Sequence, residues 1–171
     1  MKKMILLFIS SLLITSVMAQ DIEQKLKEKG IVLPVAAKPV ATYVNAVRVG
    51  NLIFLAGKGP LKTDGSYITG KVGKDLTIQE GYDAARLTGI NTLAALKAEI
   101  GDLNKVKRIV KVLGMVNCES NFMDHPKVIN GFSDLMVEIF GEKGKHARSA
   151  VGMGSLPMDT SVEVEMIVEV E

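Results

Sequence analysis

The C-terminal residues alternate between apolar and acidic side chains. From Val162 to Glu171 every even-numbered residue is apolar, and four of the five odd-numbered residues are glutamates. A period of two places successive side chains on opposite faces of a β-strand. The segment is therefore predicted to be a half-buried strand, and its apolar face requires a sheet and a packed layer to cover it.

A second strand is predicted directly upstream, over residues 147–153, with Leu156-Pro157 as the turn between the two. This pairing would make Arg148, at the start of one strand, face Glu163 on the next. A guanidinium binds a carboxylate through two parallel hydrogen bonds, so such a pair suits a small carboxylate ligand with a water beside it. Taken alone, Arg148 also fits a surface ion pair, and Glu163 also fits the solvated face of its strand.

Cap and turn residues place the other elements. Asp21 caps a short predicted helix, Ile22–Lys29, which Gly30 ends. Thr77 and Glu80 form a capping box in front of a long helix. The remaining predictions are an extended connection over 31–41, a hairpin of strands 42–49 and 52–56 around Gly50-Asn51, a turn at 62–65, a short strand at 67–69, the long helix over 78–100 ending at Gly101, a strand over 106–116, and a helix over 123–140 ending at Gly141.

The order of these elements indicates the fold class. The sequence β-β-α-β-α-β-β predicts an α+β domain in which one mixed β-sheet carries two helices on one face. The opposite face of the sheet then lacks a cover. Another subunit is the expected cover, which makes the protein a predicted oligomer.

The first 19 residues have the three parts of a secretory signal peptide. Lys2 and Lys3 precede a short apolar run, and Val17-Met18-Ala19 offers a small-residue cleavage site. We expect cleavage after Ala19, a single domain over residues 20–171, and an exported, periplasmic protein. No second apolar run follows, so no stable membrane insertion is expected after cleavage. A retained N-terminal anchor is the alternative.

Charge and cysteine content narrow the class of protein further. Without residues 1–19 the chain has as many basic as acidic side chains, which disfavours nucleic acid as a partner. The single cysteine, Cys118, is interpreted as a small buried hydrophobic residue, with a reactive thiol or an intermolecular bridge as alternatives. His125 and His146 stand outside any cluster with metal-ligand spacing, so no metal site is predicted. No Cys-His pair is apparent either.

Several segments together resemble the reactive intermediate deaminase (Rid, YjgF-like) family. They are His146-Ala-Arg148-Ser, Leu156-Pro157 and Val162-Glu163-Val-Glu165, with Tyr43-Val-Asn, Phe54-Leu-Ala-Gly57 and Val128-Ile-Asn130 upstream in the family's order. The resemblance covers essentially residues 22–171. It is nearest to the longer branch of the family, which has an N-terminal helix and a Gly-x-Gly-x-His-Ala-Arg-Ser run, partly kept here from Gly141 onward.

The resemblance implies a fold, an assembly and an activity. The fold is chorismate-mutase-like (YjgF-like), and three copies form a homotrimer with a barrel-like core and clefts between subunits. The activity is cofactor-free hydrolysis of small carboxylate-bearing 2-enamine or 2-imino acids to 2-keto acids and ammonia. Arg148 would bind the substrate carboxylate, and Glu163 would position or activate the attacking water. The implied substrate-binding positions are Tyr43, Gly57, Asn130, Ser149 and Ala150.

Two departures from the family's deaminase archetype keep alternatives open. This chain has Ala150 where the archetype has cysteine, and Ala56-Gly57-Lys58 where the archetype has Ser-Gly-Gln. A non-catalytic protein of the same fold that binds small carboxylates through Arg148 is therefore the alternative function. Endoribonuclease activity, for which some family members are named, is disfavoured because phosphate contacts require a basic groove.

Overall fold

The computed structural model describes residues 21–39 and 41–171, so the predicted signal peptide lies outside the described residues. The α-helices are α1 (Ile22–Glu28), α2 (Ile78–Ile100) and α3 (His125–Phe140). The strands are β1 (Ala46–Val49), β2 (Leu52–Lys58), β3 (Val106–Asn117), β4 (Ala147–Met153) and β5 (Val162–Val170). None of the described helices combines the length and the apolar character needed to cross a membrane.

All five strands belong to one mixed sheet, in the order β1-β2-β5-β3-β4. The pairs β1-β2, β2-β5 and β5-β3 are antiparallel, whereas β3 and β4 are parallel. The predicted mixed sheet is confirmed, but the predicted pairing of the two C-terminal strands is wrong. Because α3 returns the chain to the same end of the sheet, β4 runs parallel to β3 and takes its free edge. β5 then pairs with the other edge of β3, so β3 separates β4 from β5.

The two long helices lie on one face of the sheet, as predicted, and pack closely against it and each other. A Cβ atom on Gly114 of β3 would approach Ile129 of α3 to 2.6 Å, so α3 sits directly on the strand. On Gly131 of α3, a Cβ would collide with the Tyr82 carbonyl of α2. These glycines therefore set the spacing between the layers. The largest fully buried side chains include Ile53, Leu93, Leu96, Ile109, Phe132, Leu135, Met136, Ile139 and Met166.

Element boundaries differ from the predictions mainly in the N-terminal hairpin. β1 begins at Ala46 rather than residue 42, because the chain bends before it: the Tyr43 N–H donates to the Ala41 carbonyl, and the Asn45 amide donates to the Ala37 carbonyl. β2 continues past its predicted end to Lys58 through a bulge. α3 begins two residues later than predicted, and residues 67–69 form isolated bridges instead of a strand.

No described element covers the second face of the sheet. Val47, Phe54 and Ile167 lie side by side there across β1, β2 and β5. Val47 is 52% exposed and Phe54 is 41% exposed. A shallow cavity of about 290 Å³ opens on this face, with Lys111 and Glu165 among its lining residues. We call this surface the open face.

Candidate active site

Arg148 lies on the edge strand β4 and extends over α3. Its Cα partner on β3 is the fully buried Val112, and neighbouring residues in register share a face. The guanidinium therefore leaves the sheet on the helix side. Its Nη1 atom donates hydrogen bonds to Asn130 Oδ1 at 2.9 Å and to Ser133 Oγ at 3.0 Å. Asn130 and Ser133 are three residues apart on α3 and so face the same way.

His146 supports the same group from the turn before β4. Its Nδ1 lies 2.7 Å from the Gly144 carbonyl oxygen, and its Nε2 lies 3.0 Å from Ser133 Oγ. Burial lowers the pKa of His146, the Gly144 carbonyl opposes that shift, and the charge of Arg148 adds to it. Burial and the charge of Arg148 thus both favour the neutral imidazole.

Glu163 lies on β5, on the open face, since its neighbours Val162 and Val164 are buried under the helices. Its Oε1 fills the space that a Cβ atom on Gly57 of β2 would occupy. Burial raises the pKa of Glu163, the nearby charge of Glu165 raises it further, and the charge of Lys58 opposes both. The result is a half-buried carboxyl group that accepts a proton more readily than an exposed glutamate.

Lys58, at the end of β2, approaches Glu163. Its Nζ donates to Asn45 Oδ1 at 2.6 Å, which anchors the ammonium next to the start of β1. Burial lowers the pKa of Lys58, and the negative charge of Glu163 opposes that effect. Tyr43, two residues before Asn45, is 49% exposed. A cationic side chain thus stands beside the carboxylate on this side of the sheet.

The site residues inferred from the sequence form two separate groups within one chain. Arg148 with Asn130 belongs to the helix face, and Glu163 with Gly57 belongs to the open face. The expectation that Arg148 and Glu163 face each other on adjacent strands is wrong: their Cα partners on β3 are Val112 and Met115, on opposite edges of that strand.

The two residues that follow Arg148 along β4 point in opposite directions. Ser149 lies on the open face, where its Oγ accepts a hydrogen bond from Lys111 Nζ at 3.0 Å. Ala150 is partly buried and packs against the core. Neither side chain joins Arg148 and its partners on α3.

Comparison with known proteins now identifies the family. The family model described as "YjgF/chorismate mutase-like, putative endoribonuclease" matches residues 23–170. The chain belongs to the YjgF (Rid) family. The chorismate-mutase-like fold expected from the sequence is therefore confirmed.

Relatives of this YjgF-family chain match it over most of its length. It is 41% identical to Protein TCP17 of Trypanosoma cruzi, over 84% of this chain and 91% of the relative. It is 32% identical to the 2-iminobutanoate/2-iminopropanoate deaminase of Dermatophagoides farinae, over 81% of this chain and 93% of the relative. The crystal structure of Atu1372 from Agrobacterium tumefaciens, a protein of unknown function, is 43% identical with a TM-score of 0.82, over 88% of this chain and 92% of that one.

Sequence reasoning missed two side chains that lie next to Arg148 in this YjgF-family chain, Ser133 and His146. The spacing of Asn130 and Ser133 on a predicted helix was the available signal. A contact between a cysteine and a histidine was also missed: Cys118 Sγ lies 3.5 Å from His125 Nε2. Burial raises the pKa of the Cys118 thiol, and the residue is 4% exposed, which confirms its interpretation as a buried hydrophobic residue. Among residues 21–39 and 41–171, no three His, Cys, Asp or Glu side chains group as metal ligands.

Proposed function

We propose that this protein hydrolyses small 2-imino or 2-enamine acids to 2-keto acids and ammonia. The observation that carries the proposal is the guanidinium of Arg148, held at one nitrogen by two side chains of α3. A fixed guanidinium suits the carboxylate that all such substrates share. The half-buried Glu163 supplies a proton acceptor, and the printed name of the Dermatophagoides relative, a 2-iminobutanoate/2-iminopropanoate deaminase, favours the same reaction.

The reaction needs few groups, because an imine carbon is already electrophilic. Water adds to C2 of the imine while Glu163 takes one of its protons and returns it to the nitrogen, which gives a neutral carbinolamine. Glu163 then takes the hydroxyl proton and passes it to the amine nitrogen, the C–N bond breaks, and ammonia leaves as the C2 carbonyl forms. Arg148 would hold the carboxylate so that C2 meets the water, and positioning of this kind contributes large effective-molarity gains. A general base contributes about 10²–10⁴-fold more.

We further propose that the complete site forms between copies of the chain, in a homotrimer. Within one chain Arg148 and Glu163 lie on opposite faces of the sheet. A single chain therefore cannot place a carboxylate bound by Arg148 next to a water bound by Glu163. The open face, with Val47 and Phe54, is an apolar surface that a second copy would cover. Such packing would bring the Arg148 edge of one subunit to the Glu163 side of the next.

A second candidate is a non-catalytic protein that binds small carboxylates. Ala150 favours it, because its partly buried methyl group offers no proton donor or nucleophile two residues after Arg148 on β4. In this candidate Arg148 also binds the carboxylate, but Glu163 has no role in catalysis.

The deciding experiment measures keto-acid release from freshly generated 2-iminopropanoate. We expect the wild-type protein to accelerate release over buffer and Arg148→Ala to abolish the acceleration. Lys38→Ala, which removes an exposed cation outside the sheet, is the control and should retain the rate. A folded wild-type protein that leaves the buffer rate unchanged would reject the deaminase. Pyruvate binding that depends on Arg148 would then support the binding protein.

We also propose that the protein acts after export, on the strength of the charged, apolar and small-residue parts of residues 1–19. N-terminal sequencing of the protein recovered from the periplasm should begin at Gln20. A chain that keeps Met1 and remains in the cytoplasm would reject this proposal.

A further inference from the structure

A chain of hydrogen bonds behind Arg148 determines which edge of its guanidinium is open to a ligand. Nη1 of arginine carries two hydrogens. One goes to Asn130 Oδ1 and the other to Ser133 Oγ, so Nη1 has no donor left. Within the described part of the chain, Nε and Nη2 have no hydrogen-bond acceptor. Three N–H groups, on the Nε–Nη2 side, are therefore available.

We propose that Ser133 and His146 are positioning residues, which hold Arg148 by Nη1 so that a ligand carboxylate binds to the Nε–Nη2 edge. The inference rests on the proposed role of Arg148 in binding a carboxylate. It goes beyond that role because it assigns two further residues and one binding geometry. The Nε–H and one Nη2–H are parallel, so this edge makes the bidentate contact that a carboxylate prefers.

The proton order follows from the groups that can act in only one way. Arginine only donates, so Ser133 Oγ accepts from Nη1. The Gly144 carbonyl only accepts, so the proton of the His146 imidazole is on Nδ1 and is donated to that carbonyl at 2.7 Å. In the neutral imidazole Nε2 is then an acceptor, and Ser133 Oγ, 3.0 Å away, donates to it. The Gly144 carbonyl thus fixes the tautomer, and Ser133 links the histidine to Arg148.

The same rule orients Asn130. Because Nη1 can only donate, the Asn130 atom that faces it is the amide oxygen, which leaves the Nδ2 hydrogens free for a ligand. The Asn130 amide therefore accepts from the guanidinium through its oxygen and can donate to a ligand through its nitrogen. A neutral His146 also adds no second positive charge behind Arg148, in line with the lowered pKa of its imidazole.

NMR tests the proton order without any substrate. The chain has two histidines, so long-range ¹H–¹⁵N spectra of the labelled wild-type protein show two imidazoles, and His125→Gln identifies which is His146. At neutral pH we expect His146 as the neutral Nδ1–H tautomer. An Nε2–H tautomer or an imidazolium would overturn the proposed chain, whatever the activity of the protein.

Pyruvate binding tests the positioning role. We expect Ser133→Ala and His146→Leu each to raise the pyruvate dissociation constant about tenfold, the lower range for a hydrogen bond to a charged group. His146→Gln keeps an oxygen acceptor where Nε2 was, so affinity should recover largely toward the wild-type value. His125→Gln, which alters the other histidine, should leave affinity unchanged. Circular dichroism establishes that each variant is folded, and His146→Leu provides the test if Ser133→Ala does not fold.

The possible failures are distinguishable. If Arg148→Ala loses pyruvate while Ser133→Ala and His146→Leu bind it normally, the positioning role is wrong and the carboxylate site stands. If Arg148→Ala binds pyruvate like the wild type, the proposed function itself fails, and the positioning role falls with it. Binding of the carboxylate to the Nε–Nη2 edge is tested by the Nε–H resonance of Arg148, which should shift when pyruvate binds. An unchanged Nε–H resonance at saturation would place the carboxylate on another edge and overturn the geometry.

Discussion

Glu163 Oε1 occupies the place that a side chain on Gly57 would take, which makes the backbone of β2 one wall of the carboxylate's surroundings. The contact crosses from the end of β2 to the start of β5, two strands far apart in the sequence. It explains why a residue without a side chain is needed at position 57.

Gly57→Ala should displace Glu163 and reduce keto-acid release from 2-iminopropanoate by about 10²-fold, the usual effect of a misplacement near 1 Å. The matched control is Gly154→Ala, because a Cβ on Gly154 enters open space. Rates and melting temperatures of both variants should be measured. An unaltered rate in folded Gly57→Ala would mean that the position of Glu163 is unimportant for turnover.

Glu163→Gln separates catalysis from binding. Loss of the proton acceptor should reduce kcat by about 10²–10⁴-fold. Pyruvate affinity should stay close to that of the wild type, because Arg148 binds the carboxylate. Steady-state kinetics and pyruvate titration provide the two readouts. Equal kcat values in the two proteins would remove Glu163 from the mechanism.

Glu163→Gln should stabilise the folded protein at neutral pH, although it lowers kcat. Burial raises the pKa of Glu163 in the folded chain, so folding is favoured while the carboxyl is protonated. That contribution is present below the unfolded-state pKa and is lost as pH rises through the folded-state pKa. Glu163→Gln should therefore melt at a higher temperature than the wild type at pH 7, and the difference should disappear in acid. A lower melting temperature at pH 7 would contradict this account.

The acid limb of the pH–rate profile should depend on two neighbours of Glu163. The base must be ionised, so kcat/KM falls as pH drops through its pKa. Lys58 lowers this pKa, whereas Glu165 raises it. Lys58→Gln should therefore move the limb to higher pH and Glu165→Gln should move it to lower pH. Profiles that coincide for all three proteins would show that another group controls the limb.

The open face predicts the assembly. Light scattering of the wild-type protein should give the mass of a trimer, and Phe54→Glu should reduce that mass because it buries a charge in an apolar contact. Activity should fall with it, since the proposed site needs two copies. Val35→Glu alters a side chain that is 97% exposed outside the sheet and is the control. A monomeric wild-type protein would exclude a site between subunits.

Local signals predicted the helices well. The capping box before α2 is present, since the Glu80 N–H donates to Thr77 Oγ1 and the Thr77 N–H donates to Glu80 Oε2. Gly101 ends this helix with a φ of 79°, a conformation that favours glycine. Both signals lie within a few residues of the boundary they define. The start of β1 was not predictable in this way, because it depends on the contact of Asn45 with Ala37 across a bend.

The family, the ends of α2 and the two faces of β5 are predictable from the sequence, because they follow from motifs, caps and a period of two. The position of β3 between β4 and β5 is a property of the folded sheet, and it is the reason that Arg148 contacts Asn130 and Ser133 instead of Glu163. Strand neighbours are chosen by hydrogen bonding and core packing between distant segments. The local sequence pattern of a strand does not predict these interactions.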